Sequence, residues 1–240
     1  MSITTEFVNL KVDDGTTMRA HVARPAGAPR AGLIVFQEIF GINPHIRDIA
    51  DRFAAEGYLS IAPELFHRSG PGFESGYTDM AQGIGHMQQL TDAGLAADIR
   101  AAFDWLQSAS PAKKLPTAAT GYCMGGRCST LAAMTVPLAC GISYYGGGIA
   151  PSPFNPGLLG RLNEIQAPML FFWGGLDGFI KPEHVKMVTD GMRAANKPFA
   201  SLEFSDADHG FFCNERASYN ANAASEAWAI TLAYLKNYAG

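Results

Sequence analysis

Gly121-Tyr122-Cys123-Met124-Gly125-Gly126 follows an apolar segment, residues 115–120, and precedes a helix-like one. A strand that runs into a helix through so short a glycine-bracketed turn forces the central side chain out above the sheet, as in the nucleophile elbow G-x-S-x-G. Here a thiol stands where that pattern carries an alcohol. A thiol is partly ionised near neutral pH, and the N-terminus of the following helix favours the anion. The stretch therefore predicts a βα unit of a parallel sheet with a cysteine nucleophile, Cys123, on top of it.

The rest of the chain reads as more units of the same kind. Residues 7–12 and 17–23 alternate loosely and are joined by Asp13-Asp14-Gly15, so the chain should open with an antiparallel hairpin. Residues 31–36 are continuously apolar, as a strand covered on both faces must be. Asn43-Pro44 reads as a helix start, with Ile46, Ile49, Ala50 and Phe53 on one face and Gly57 as the stop. A strand is expected over 58–62, then an aperiodic stretch over 63–85, long enough to suggest a functional loop, then a helix from about 87 to 107 that ends before Pro111. Strands over 138–145, 169–173 and 199–204 and helices over 182–195 and 219–238 complete the pattern. Repeated βα units after an antiparallel start give an α/β fold: a doubly wound, mostly parallel sheet in a single domain over 1–240.

Composition narrows the function. The net charge of −4 leaves no basic surplus for phosphate contacts, so nucleic acid is not an expected partner. No charged leader precedes an apolar run, and no membrane partner is expected. Four cysteines, at 123, 128, 140 and 213, show no C-x-x-C spacing in a chain of 240 residues, which predicts free thiols and a cytoplasmic location. The histidines are scattered without a metal-ligand motif, so no metal and no cofactor are expected.

An elbow nucleophile calls for an acid and then a histidine, each just beyond a later strand. Asp177, in Trp173-Gly174-Gly175-Leu176-Asp177, and His209, in Asp206-Ala207-Asp208-His209-Gly210, occur in that order. Asp206 and Asp208 compete for the acid role, but their adjacency to the histidine makes the geometry hard to reach. The oxyanion hole of such a site would use the backbone N–H groups of Met124 and Ile39.

The chain resembles the dienelactone hydrolase (carboxymethylenebutenolidase) family of the α/β-hydrolase superfamily. The resemblance rests on Gln37-Glu38-Ile39-Phe40-Gly41, Ala62-Pro63-Glu64-Leu65-Phe66, the elbow itself, Tyr144-Tyr145-Gly146, Gly174-Gly175-Leu176-Asp177 and His209-Gly210-Phe211. It implies an α/β-hydrolase fold without a separate cap domain, a triad of Cys123, Asp177 and His209, and a part for Glu38 in forming the thiolate. It also implies hydrolysis of a small lactone or ester through a thioester. In the family an arginine a few residues beyond the histidine binds a substrate carboxylate; Cys213 stands nearest that position, and Arg216 lies three residues further on. Arg127 and Arg68 are alternative cations, and Tyr144, Tyr145, Phe40, Trp173 and Phe211 are expected to line an aromatic pocket. Three other readings stay open. They are a broad-specificity carboxylesterase of the same fold, a thiol amidase and a non-catalytic binding protein; against the amidase, Phe211 stands where such enzymes carry a carboxylate.

Overall fold

The computed structural model describes residues 2–110, 114–152 and 155–240; the Pro111 break lies outside the described residues. Eight strands form one sheet in the order β1-β2-β4-β3-β5-β6-β7-β8. They are β1 (Thr4–Lys11), β2 (Thr17–Arg24), β3 (Gly32–Phe36), β4 (Leu59–Pro63), β5 (Thr117–Tyr122), β6 (Gly141–Tyr144), β7 (Met169–Gly174) and β8 (Phe199–Phe204). β1 and β2 pair antiparallel, β2 meets β4 antiparallel, and every other pairing is parallel. Every residue of β3 to β7 is buried, which accounts for their unbroken apolar character; β1 and β8 carry exposed positions at the edges.

The strand order reverses between β3 and β4, and right-handed crossovers then place the connecting helices on opposite faces. α1 (Pro44–Ala55) joins β3 to β4 and covers one face, where Phe53 meets Trp228 of the last helix, with ring centroids 4.5 Å apart. Asn43 caps α1 by accepting from the Ile46 amide at 3.2 Å, with Pro44 in the first turn. Losing such a cap costs about 1 kcal/mol.

The chain between β4 and β5 departs from expectation. It forms two helices, α2 (Met80–Met87) and α3 (Asp92–Ser108), where one helix from about residue 87 was expected after an irregular stretch. Asp79 caps α2 and Thr91 caps α3, so the chain restarts at 91. α2 presses on the loop after β3: a Cβ on Gly83 would lie 2.2 Å from the Ile39 carbonyl oxygen. Its two glycines, Gly83 and Gly85, hide the helix from propensity, because a close approach to Ile39 needs the missing side chain.

α4 (Met124–Thr135) follows β5, and α3 packs on it on the second face. A short 3₁₀ turn, Leu159–Glu164, precedes β7; α5 (Pro182–Ala194) joins β7 to β8, and α6 (Ala221–Tyr238) closes the chain. None of the described helices is long and apolar enough to cross a membrane.

Candidate active site

β3 and β5 are neighbours with Phe36 opposite Gly121. Two residues beyond that Phe36–Gly121 pair stand Glu38 and Cys123, both at the carboxyl edge of the sheet, where open α/β sheets place their ligand crevice. β7 and β8 are in register to Gly174 and Phe204, and the loops after them carry Asp177 and His209 to the same edge. Residues far apart in sequence are thus gathered by strand order alone.

Cys123 is the residue between β5 and α4, with φ 56° and ψ −119°. A non-glycine residue held in this region stores about 1–3 kcal/mol of strain. Its amide donates to the Tyr144 carbonyl at 3.1 Å, and its carbonyl accepts from Gly126 at 3.0 Å. The flanking glycines are sterically required: a Cβ on Gly121 would lie 1.9 Å from the Gly125 oxygen, and one on Gly125 2.4 Å from the Phe36 oxygen. The elbow therefore packs backbone to backbone against the end of β3.

Nδ1 of His209 lies 2.8 Å from Oδ2 of Asp177, and both residues are buried. The other carboxylate oxygen, Oδ1, accepts from the amides of Phe179 at 2.7 Å and Ile180 at 2.9 Å. Burial pushes the Asp177 carboxyl up, but the His209 bond and charge and the two amides outweigh it and hold it below its usual value. The Cys123 thiol is the second group that acts on the His209 ring. Burial pulls the imidazolium down, whereas the Cys123 charge and the bond to Asp177 push it up, to about 10. Of the three acids considered for this contact, the structure brings Asp177 to the ring. Asp208 instead accepts from the His209 backbone amide at 2.6 Å, and Asp206 uses its carbonyl to hold Asn220.

Glu38 is fully buried and is no solvated loop carboxylate. Its Oε1 accepts from Nη1 of Arg216 at 3.1 Å, while its Oε2 has no hydrogen-bond partner among the described residues. Burial raises the Glu38 carboxyl, against the opposing charges of Arg216 and His209. Arg216 also lies over Phe40 and Tyr77, 5.8 Å from each ring centroid. Arg68 and Arg127 are committed elsewhere. Arg68 makes two bonds to the buried Asp98, at 2.9 and 2.8 Å, and Arg127 binds Asp92 at 2.7 Å and the Gly148 carbonyl at 3.0 Å.

The aromatic residues divide. Tyr145 puts its ring edge-on to His209 at 5.1 Å, and Phe211 backs it at 5.2 Å; Phe40 packs against Tyr77 at 4.7 Å beneath Arg216. Tyr144 is core, with its hydroxyl turned to Thr231 at 2.6 Å. Trp173 corrects the expectation of a pocket-lining residue. Its indole donates to Ser201 on β8 at 2.9 Å and lies parallel to Phe171, because strand alternation gives it the sheet face opposite to Phe172. Two neighbours of the site were not foreseen, Phe179, edge-on to His209 at 5.3 Å, and Tyr77. Tyr77 sits in a stretch without periodicity, and Phe179 in a short turn, so neither had a sequence signal.

Met124 lies in the first turn of α4, and Ile39 in the loop after β3. Neither backbone amide donates to a protein acceptor among the described residues. The site thus holds a thiol, an imidazole–carboxylate pair, two free amides and a buried glutamate–arginine pair.

The dienelactone hydrolase family model matches residues 18–239. This chain belongs to the dienelactone hydrolase family. A provisionally named carboxymethylenebutenolidase of Synechocystis is 36% identical over 201 residues, covering 82% of this chain and 81% of that one. The carboxymethylenebutenolidase of Pseudomonas sp. strain P51 is 30% identical over 235 residues, 97% of this chain and 95% of its own. The crystal structure of a provisionally named dienelactone hydrolase from Klebsiella pneumoniae superposes with a TM-score of 0.89 at 31% identity, covering 99% of this chain and all of that one. The fold is that of the α/β-hydrolases, and the chain is a dienelactone hydrolase-like hydrolase.

Proposed function

We propose that this dienelactone hydrolase-like protein cleaves small lactones or esters through a thioester on Cys123. The Cys123 thiolate attacks the carbonyl carbon, and the oxyanion is held by the Ile39 and Met124 amides. Collapse expels the alcohol or enol oxygen, which takes its proton from His209. Water then gives a proton to His209 as it attacks the thioester, the carbon–sulfur bond breaks, and the acid is released. Asp177 keeps the imidazole in the tautomer that faces Cys123 and favours the imidazolium. Glu38, buried next to the elbow, takes part in generating the thiolate when substrate enters. The observation that carries this reading is the buried His209 Nδ1–Asp177 pair at 2.8 Å, at the sheet edge where the elbow holds Cys123 at φ 56°.

Of the three cations considered, Arg216 alone stands at this site. A substrate carboxylate arriving there would exchange with Glu38 for the guanidinium, which suits carboxylate-bearing lactones. With Arg68 and Arg127 committed to Asp98 and Asp92, the site has one such cation, and this favours a tolerance for neutral esters as the second reading. Kinetics on dienelactones, simple lactones and activated aryl esters, with Cys123→Ala as the control, separate the two. A preference for carboxylate-bearing lactones supports the first and equal rates the second. Full turnover by Cys123→Ala rejects both. The four cysteines, none in a disulfide, support a reducing cytoplasm as the place where the protein works.

A further inference from the structure

Glu38, His45 and Cys213 each offer one ligand atom, and these atoms lie within 4.8 Å of one another, all on buried side chains. The three come from different elements: the loop after β3, the first turn of α1 and the turn that follows His209. Two of them are left with unpaired polar atoms. Neither ring nitrogen of His45 has a hydrogen-bond partner among the described residues, nor has Oε2 of Glu38. A buried polar group left unpaired costs about 1–3 kcal/mol, so a site with this many calls for an occupant.

The donor types say which. A carboxylate oxygen, an imidazole nitrogen and a sulfur that converge in a dry site are the donor set of a borderline divalent cation such as zinc. We propose that Glu38, His45 and Cys213 form a binding site for one such cation, buried behind the catalytic edge of the sheet. Cys213 gives up its thiol proton to solvent on binding, and the thiolate and the Glu38 carboxylate together balance the dication. Glu38 binds through Oε2 and keeps Arg216 on Oε1. Both ring nitrogens of His45 are unpaired among the described residues, so either can be turned to the ion. The Tyr77 hydroxyl, which interacts with Cys213, stands behind the sulfur, and Asn43 donates to that hydroxyl at 3.0 Å. Around tetrahedral zinc the donors stand about 3.3–3.8 Å apart, so the widest pair closes by about 1 Å, within the reach of side-chain rotation.

The consequence for activity rests on the proposed role of Glu38; the binding itself does not. A cation on Oε2 holds Glu38 away from the thiol, so the metal acts as a reversible inhibitor.

The test uses Co²⁺ as the probe and Cys123→Ser protein, in which the proposed nucleophile cannot supply a thiolate. One equivalent of Co²⁺ should produce a thiolate-to-cobalt charge-transfer band, reversed by a chelator and displaced by Zn²⁺. The band should vanish in Cys123→Ser/Cys213→Ala. In Cys123→Ser/His45→Phe, which keeps the ring packing against Tyr122 and Phe212, Co²⁺ affinity should fall at least about tenfold. Circular dichroism of the metal-free variants checks that each is folded, and either double variant alone suffices. No band in folded Cys123→Ser, or a band that survives the loss of Cys213, overturns the site. Neither result bears on hydrolysis by the wild type, so the two readings fail separately.

Discussion

Arg216 and Glu38, 178 positions apart, form an ion pair at 3.1 Å, with the glutamate side chain fully buried and the arginine 15% exposed. Under the proposed function, a substrate carboxylate would compete with Glu38 for this guanidinium. Arg216→Met should therefore raise KM for a carboxylate-bearing lactone by about 10- to 100-fold, the value of a hydrogen bond to a charged group. The KM of a neutral aryl ester should move far less. Steady-state kinetics on both substrates check this, and equal shifts would show that the arginine only supports the fold.

In the proposed mechanism His209 carries the proton and Asp177 only orients and stabilises the ring that holds it. His209→Ala should lower kcat/KM by about 10²- to 10⁴-fold, the usual contribution of a positioned acid–base group. Asp177→Asn should fall in the same direction, because an amide donor favours the wrong imidazole tautomer. Asp206→Asn should stay within a few-fold of wild type, since its carboxylate does not reach the ring. Loss of activity in Asp206→Asn with Asp177→Asn spared would reverse the assignment.

The His209 imidazolium is held up from 6.5 to about 10, against burial, by Cys123 and Asp177. Between those values the folded protein keeps a proton that the unfolded chain gives up. The stabilisation is thus complete below 6.5, falls as the pH rises, and is gone past about 10. Urea midpoints measured from pH 6 to 10.5 should decline in wild type. They should decline less steeply in Cys123→Ala, where the main raising influence is gone. Parallel curves would show that the thiol does not hold the proton on His209.

The elbow stores strain at Cys123 and leaves no room beside it. Cys123→Gly should be more stable than Cys123→Ala by about 1 kcal/mol, because glycine accepts φ 56° without penalty. Gly125→Ala should destabilise by about 1–3 kcal/mol or more, since its new methyl would meet the Phe36 oxygen at 2.4 Å. Denaturant titration of the three variants measures both differences.

Much of this was legible in the chain, and for physical reasons. Buried parallel strands such as Gly32–Phe36 and Met169–Gly174 must be apolar throughout, and Gly121-Tyr122-Cys123-Met124-Gly125 must carry small residues where backbones touch. These are local demands, and the sequence shows them. Asp177 and His209 could be picked out because they follow the elbow in the order acid, then histidine, each just beyond an apolar strand. What stayed hidden depends on contacts from elsewhere in the chain. α2 is a helix because Asp79 caps it and Gly83 lets it lie against Ile39, which its own composition does not announce. Trp173 is aromatic and close in sequence to Asp177, yet alternation along β7 gives it to the core. Arg127 and Arg68 are cations like Arg216, and only the positions of Asp92 and Asp98 show that they are spoken for.

The central claim is that Cys123 becomes the acyl carrier. Wild-type protein mixed with an activated aryl ester, quenched in acid during turnover and digested, should yield the peptide containing Cys123 with the mass of the acyl group added, labile to hydroxylamine. The account predicts that adduct on Cys123, with neither adduct nor turnover in Cys123→Ala. An acyl group on any other residue, or Cys123→Ala turning over at the wild-type rate, would contradict it.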